Sequence, residues 1–215
     1  MDSILRAQKL QKVDGILFDL GPSSFQLNSP ERGFSIKLNG PLDMRMDRSE
    51  KIKKAFDIVN SYSSSELISI FRTYGDEYFA RRIVEGIVRE RRKKSIENTN
   101  RLSEIIKNTV PYRYRFRRIH PATKVFMALR IAVNRETECL KTGLEKAVLF
   151  LRKSSRLCVI SFHSIEDRIV KNIFKEFSRS KNVKILTKKP IKPGNWEILK
   201  NPRARSAKLR VAEKI

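Results

Sequence analysis

The chain is poor in the residues that build cross-linked or metal-bound frameworks. Its 2 cysteines, Cys139 and Cys158, are too few and too far apart for a disulfide lattice or a thiolate metal site. Cys158 stands inside an apolar run, where a thiol behaves as a small core residue, and a reducing, cytoplasmic compartment is the expectation. The 2 histidines, His120 and His163, have no partners spaced for zinc, so no metal is expected. The 8 glycines (15, 21, 33, 40, 75, 86, 143 and 194) include no two within three positions, which leaves no Gly-rich phosphate loop. No apolar run reaches the roughly 20 residues that cross a bilayer. Residues 125–133, the nearest to one, are broken by Arg130, and no membrane partner is expected. Met1-Asp2-Ser3-Ile4-Leu5-Arg6 lacks the apolar core and small-residue cleavage site of a secretory signal. Arg6, Lys9 and Lys12 alternate with Leu5 and Leu10, which fits an amphipathic targeting peptide or a surface helix leading into a strand; the second is preferred.

Acid is scarce too, and what outweighs it is the strongest feature. Lys+Arg 47 against Asp+Glu 23 gives +24 over 215 residues. Such an excess repels itself unless a polyanion neutralises it, so nucleic acid is the expected partner, an acidic membrane surface being only the second candidate that charge alone allows. Charge alone says nothing of chemistry. The length suits one core, or one core with a small inserted domain.

Val13-Asp14-Gly15-Ile16-Leu17-Phe18-Asp19-Leu20 reads as a buried parallel strand ending in a Gly21-Pro22-Ser23-Ser24 loop. Residues 25–47, with Pro30, Gly33, Gly40 and Pro41, read as mostly loop, and a loop that long tends to be functional. Helices follow. One is capped by Ser49 and runs to about Asn60. A second opens with the capping box Ser63/Glu66 and stops near Gly75. A third covers about 76–94, with Phe79, Ile83, Ile87 and Val88 as its apolar stripe. A fourth runs from Thr99 to before Pro111, and a long stretch from Pro121 to about Arg152 carries a break near Gly143. Residues 156–162 read as a second buried strand, Ser164 and Asp167 as a helix start, and residues 183–186 and 207–212 as further strands. The fold class predicted is α/β, with a methyltransferase-like α/β domain at 1–45 and 116–215 and an inserted all-helical domain at 46–115.

Three blocks are more specific. The first is Asp14-Gly15-Ile16-Leu17-Phe18-Asp19-Leu20-Gly21 with Ser23-Ser24, Gln26-Leu27, Glu31-Arg32-Gly33-Phe34-Ser35 and Gly40-Pro41-Leu42-Asp43-Met44-Arg45-Met46-Asp47. The second is His120-Pro121-Ala122-Thr123-Lys124 with Ala128-Leu129-Arg130-Ile131 and Val133-Asn134. The third is Ile160-Ser161-Phe162-His163-Ser164-Ile165-Glu166-Asp167-Arg168-Ile169-Val170-Lys171 with Asn201-Pro202-Arg203 and Arg205-Ser206-Ala207-Lys208-Leu209-Arg210. In this order, over essentially the whole chain, they resemble the 16S ribosomal RNA cytosine-N4 methyltransferase family.

The resemblance implies a Rossmann-like methyltransferase sheet with a helical insert. It also implies S-adenosyl-L-methionine as methyl donor, and methylation of a cytosine N4 in the decoding centre of small-subunit ribosomal RNA, within the 30S particle. Asp19 and Gln26 match the family's cofactor contacts, just beyond a strand's carboxyl end, where open α/β sheets bind ligands. The family begins with a further segment bearing a Gly-rich loop ending in Gly-Gly-His and an acidic ribose-binding residue. A late start, a fragment or a degenerate paralogue would each account for its absence here, and Met1 lying just before a sheet strand favours the first two. The 215-residue chain is therefore expected to bind the donor weakly or not at all. Pro22 stands where a small aliphatic residue is usual, and Lys153-Ser154-Ser155 where a Pro-Gly-Gly turn is usual. A non-catalytic ribosomal RNA-binding or assembly protein is the alternative function, and homodimerisation stays open.

Methyl transfer from a sulfonium is an in-line displacement, so positioning dominates, and the target cytosine must leave its stack. Candidates for the pocket are Asp19, Ser23, Ser24, Ser161 and His163. His163 either orients the base or satisfies a turn; Asp167 reads as a helix-start carboxylate rather than a base. For RNA, Tyr112-Arg113-Tyr114-Arg115-Phe116-Arg117-Arg118 can neutralise phosphates while its rings stack on bases. His120, before a helix-initiating proline, either meets a phosphate or only precedes the helix. Lys124, Arg130 and Asn134 complete the RNA candidates through the same matched block.

Overall fold

The computed structural model describes residues 2–215, with side chains from Ile4 onward. In chain order its elements are α1 (Asp2–Ala7), β1 (Val13–Asp19), α2 (Ser24–Asn28), α3 (Ala55–Ser61), α4 (Ser64–Thr73), α5 (Ala80–Arg91), α6 (Thr99–Thr109), α7 (Tyr112–Arg115), α8 (Thr123–Asn134), α9 (Glu136–Phe150), β2 (Leu151–Ser161), α10 (Ser164–Arg179), β3 (Val183–Ile185), α11 (Asn195–Lys200) and β4 (Lys208–Lys214). They fall into two compact units, Met1–Gly21 with Thr137–Ile215, and Pro22–Glu136. No helix among the described residues is long and apolar enough to cross a membrane.

The first unit is α/β, with a Rossmann-like mixed sheet in the order β1-β2-β4-β3. The apolar runs at 13–20 and 156–162 pair in parallel, and β4 runs antiparallel to both β2 and β3. A parallel pair needs a crossover, and the chain re-enters the sheet through α9. That helix buries Leu140, Leu144, Ala147 and Val148, a stripe at helical spacing, in one core with Leu157, Val159, Val170 and Phe174. Gly143 does not break the helix as expected. A Cβ there would stand 3.3 Å from the Phe18 ring, so glycine lets helix and strand approach closely. The break lies at Arg135 (φ 50°, ψ 38°), whose N–H closes α8 on the Ile131 carbonyl. β2 starts earlier than expected, at Leu151, and its register with β1 shifts between Val13 and Gly15. The extra residues bulge through Ser154 at φ 65°, inside the Lys153-Ser154-Ser155 segment.

The cap of α10 is His163 rather than Ser164, which is the helix's first residue. The His163 Nδ1 accepts from the Glu166 N–H (3.4 Å), and Glu166 reaches back to accept from the N–H groups of Phe162 (2.8 Å) and His163 (3.4 Å). This reciprocal arrangement satisfies donors that a helix start leaves open.

The second unit packs α3 to α6 and α8 around Leu67, Phe71, Ile83, Ile87, Leu102, Ile106 and Leu129. The Ser63/Glu66 box caps α4 as the spacing predicts, and Asn98 caps α6. Ser49 caps nothing: it bonds back to Asp47, and α3 begins at Ala55 with Asp57 accepting from the Lys54 N–H. α5 begins at Ala80 because Asp76 sits at φ 46°, outside helical space. The stretch 25–47 is mostly irregular yet anchored, for Phe34, Leu42 and Met44 are buried. Gly33 and Gly40 permit this, since a Cβ at either would collide with the carbonyl oxygen of Pro41 or Pro30.

Candidate active-site edge and nucleic-acid interface

In the first unit, Asp19 and Ser161 end adjacent strands. Asp19 pairs in register with Ile160, and the Leu20 N–H continues the ladder to the Ile160 carbonyl. Asp19 is exposed, and its carboxylate has no hydrogen bond or ion pair among the described residues. Gly21 follows at φ 96°, with open space where a Cβ would be. Ser161 is 2% exposed, its Oγ 3.5 Å from the Lys208 carbonyl oxygen, a weak contact. His163 lies one residue beyond Phe162, its Nε2 3.0 Å from Glu166 Oε1 while Nδ1 caps the helix. Nδ1 accepting and Nε2 donating is a geometry the neutral ring satisfies. Asp167 is more than a helix-start carboxylate: Arg210 Nε reaches it at 2.7 Å and Lys208 Nζ at 3.3 Å. Burial pushes its carboxyl up, but the Arg210 bond and the Arg210 and Lys208 charges together hold it below the usual range.

In the second unit, Ser23 and Gln26 form a capping box at α2: Gln26 N–H donates to Ser23 Oγ (3.2 Å) and Ser23 N–H to Gln26 Oε1 (2.9 Å). Gln26 Nε2 donates to the Met46 carbonyl (3.3 Å), as Arg32 does (2.8 Å). Ser24 is the first, exposed residue of α2. Asn134 clamps the same loop: it accepts from the Met46 N–H (2.7 Å) and donates to the carbonyls of Met44 and Arg130 (2.8 Å each). Arg130 is engaged bidentately by Glu136, at 2.8 and 2.9 Å. Gln26, Arg32 and Asn134 thus converge on one stretch of backbone, residues 44–46.

The aromatic-basic segment folds as α7 and the turn after it, so its alternation does not sort rings to one side as a strand would. Tyr112 and Phe116, four apart, stand on one exposed side with ring centroids 5.3 Å apart. Tyr114 turns the other way, edge-on to Phe79 at 4.8 Å, with Arg117 4.0 Å over its ring. Arg113 lies 5.1 Å from the same ring, while Arg115 donates to the carbonyls of Val110 and Asn108. Arg118 is exposed. A cavity of about 650 Å³ opens here, walled by Tyr78, Phe79, Tyr114, Arg117, His120 and Lys124. His120 Nδ1 accepts from the Ala122 N–H (3.2 Å), and burial first, then the Lys107 charge, hold its pKa below the ordinary histidine value. Lys124 Nζ donates to the Asp76 carbonyl at 2.8 Å. Sequence reading missed the Tyr78-Phe79 wall, because those residues lie some 35 positions upstream and Phe79 reads as a core position; the adjacent exposed ring of Tyr78 was the available signal.

The profile of the MraW methylase family matches residues 1–215. The chain is 54% identical to a protein of Persephonella marina named ribosomal RNA small subunit methyltransferase H, over 100% of this chain and 73% of that one. A protein of the same name from Halothermothrix orenii is 47% identical, over 99% and 73%. Another from Gloeothece citriformis is 51% identical, over 94% and 66%.

Proposed function

The chain belongs to the MraW methylase family, and on that premise we propose that it transfers a methyl group from S-adenosyl-L-methionine to N4 of a cytosine in the decoding centre of small-subunit ribosomal RNA. The observation that supports this most is the Asp19 carboxylate: exposed, unpartnered and at the carboxyl end of a parallel strand, beside a glycine that leaves the backbone open. Open α/β sheets bind ligands at that edge, and an unpaired carboxylate there fits a polar or cationic group of a donor. When bound, the donor supplies an electrophilic methyl group on a sulfonium.

The residues present suit catalysis by positioning. The exocyclic amine of cytosine is a weak nucleophile, its lone pair drawn into the ring, so orientation of that nitrogen governs the rate. Asp19 would hold the donor or accept from the amine N–H. Ser161, at the end of the neighbouring strand, offers a buried hydroxyl at the same edge. Gln26, with Ser23, fixes the loop after the strand. In the second unit, the aromatic-walled cavity offers rings to an unstacked base and Arg117, His120 and Lys124 to its phosphates. Its RNA-facing residues in this reading are Arg113, Arg117, Arg118, His120 and Lys124; Arg115 holds the turn that carries them, while Arg130 and Asn134 are engaged by Glu136 and the 44–46 backbone.

The test is transfer of labelled methyl to isolated small subunits at a donor concentration high enough to offset the weak donor binding expected of the 215-residue chain, followed by nucleoside analysis. N4-methylcytidine is expected, and Asp19→Asn should lower its yield at least tenfold. Salt-sensitive RNA binding with no methylated cytosine at any donor concentration would leave a binding or assembly protein in place of an enzyme.

A further inference from the structure

A second concavity lies in the first unit, between the later turns of α10 and the edge strand β3. It measures about 570 Å³. Its floor is apolar, from Phe174, Val183 and Ile185, and Lys171, Lys175, Lys181, Lys184 and Lys188 stand around it. None of these five lysine side chains makes a hydrogen bond or ion pair among the described residues, and the lining holds no carboxylate side chain, its one acidic group being the main-chain carboxylate of Ile215. Arg210, at the inner end, is already held by Asp167. Glu213 lies opposite both Lys184 and Arg156 in the strand registers, yet pairs with neither. Elsewhere basic side chains do find acids: Lys93 and Arg101 meet Glu90, Arg152 meets Asp14 and Lys208 meets Asp167.

Five like charges around one hollow repel each other, and a low-dielectric floor focuses their field outward. Such a hollow is completed by an anion that carries several charges along a line. A flat lipid surface meets the rim of a hollow but not its floor, whereas a sugar–phosphate chain can follow it, with ribose against the apolar base. The hydroxyl of Ser178 adds a neutral donor of the kind that accompanies phosphate contacts, while that of Thr187 is taken up by the Val211 backbone.

We propose that this groove is a second RNA-binding track, which grips backbone phosphates of the substrate outside the nucleotide that is modified. It rests on the reading that the substrate is RNA, and it locates part of the affinity in the sheet-bearing unit, apart from the aromatic-basic cavity.

The experiment is fluorescence anisotropy of a labelled small-subunit RNA fragment against the 215-residue chain over a series of salt concentrations, without methyl donor. The variant changes Lys171, Lys175, Lys184 and Lys188 together to alanine. Loss of four phosphate contacts should make the plot of log K against log salt shallower by about 3, at roughly 0.7 to 0.9 per contact. The corresponding fourfold Lys→Arg variant should keep the wild-type slope. The alanine variant should melt with the wild type, because these side chains have no partners to lose. An alanine variant with the wild-type slope and affinity overturns the track, and so does a variant that loses only binding to phosphatidylserine vesicles. If the wild-type chain binds no RNA, the substrate reading itself fails; if it binds and methylates RNA while the variant's slope is unmoved, only the track does.

Discussion

Asp167 in the first turn of α10 holds Arg210 in the middle of β4 by two hydrogen bonds, Nε to Oδ1 at 2.7 Å and Nη2 to Oδ2 at 3.3 Å. Arg210 is 7% exposed. The pair fastens the helix that follows Ser161 to the strand beside it, so the geometry of the candidate edge depends on a contact between residues 43 positions apart. Asp167→Asn keeps the shape and removes the charge, leaving a buried guanidinium uncompensated. A loss of about 3 kcal/mol is expected from chemical denaturation at neutral pH. The folded pKa of Asp167 is depressed, so its contribution is present above the ordinary carboxylate range and is lost as pH falls through the folded value. The variant should therefore approach the wild type in stability as pH falls below the ordinary carboxylate range. A constant gap across pH would assign the effect to shape.

His120 should titrate below the ordinary histidine value of about 6.5, because burial and then the Lys107 charge oppose its protonation, and its Nδ1 must stay bare to accept from Ala122. With 2 histidines in the chain, proton NMR resolves its ring directly. Between the folded and ordinary pKa the unfolded chain binds more protons, so stability declines as pH falls from about 6.5 toward the folded value. His120→Asn, which keeps an acceptor for the Ala122 N–H, should remove that part of the decline. A midpoint above 6.5 would mean that an acid outside this arrangement governs the ring.

The four arginines after Pro111 divide by structure, and their effects should divide likewise. Arg115 donates to two backbone carbonyls, so Arg115→Ala should cost about 1 to 2 kcal/mol of stability, read from denaturant melts. Arg113, Arg117 and Arg118 changed together to alanine should leave the melt nearly unchanged. They should flatten the salt dependence of RNA binding by about 2, at roughly 0.7 per contact on a single strand. An unchanged slope would return the segment to a packing role.

Elements were legible where local pattern and tertiary demand agree. The apolar runs ending in Asp19 and Ser161 mark β1 and β2, but the expected burial of β1 is not met: none of its residues is fully buried and Leu17 is 63% exposed, while β2 is buried on alternate residues only. Ser63 with Glu66 marks a helix start because the pair satisfies donors that every helix leaves open, whereas α6 is expected from Thr99 without its Asn98 cap being read. Where packing decides, the sequence was silent. A left-handed Arg135 is indistinguishable from an ordinary helical arginine, and Gly143 looks like a breaker until Phe18 is seen against it. The candidate edge was visible because Asp19 and Ser161 each end an apolar run. The aromatic cavity was only half visible, since Tyr78 and Phe79 reach Tyr114 by the folding of α5 against α6, and no local pattern records that. The lysine groove was hidden for the same reason, since its lysines come from α10, β3 and the turns beside them.

Asn134→Ala should cost about 2 to 3 kcal/mol, since the Met46 N–H and the carbonyls of Met44 and Arg130 all lose their side-chain partner at once. Asp19→Asn should cost almost nothing, having no partner to lose. Side-by-side thermal melts separate a residue that shapes the site from one available to a ligand. A destabilised Asp19→Asn would show that the carboxylate has a structural partner after all.

Ser154 offers a gain rather than a loss. It sits at φ 65° in the bulge that sets the β1–β2 register, a conformation in which a side chain crowds its own backbone by roughly 1 kcal/mol. Glycine relieves that crowding but frees the unfolded chain, which offsets about half of the benefit. Ser154→Gly should therefore stabilise by about 0.5 kcal/mol and raise the melting temperature by roughly 1 to 2 °C in a chain of this size. Ser154→Val, with a branched carbon at the same φ, should lower it by more than the glycine raises it. Opposite signs in the two melts are the signature of backbone strain. A loss in both would mean instead that the serine side chain contributes a contact outweighing its conformation, and the bulge would then be held by its chemistry rather than tolerated in spite of it.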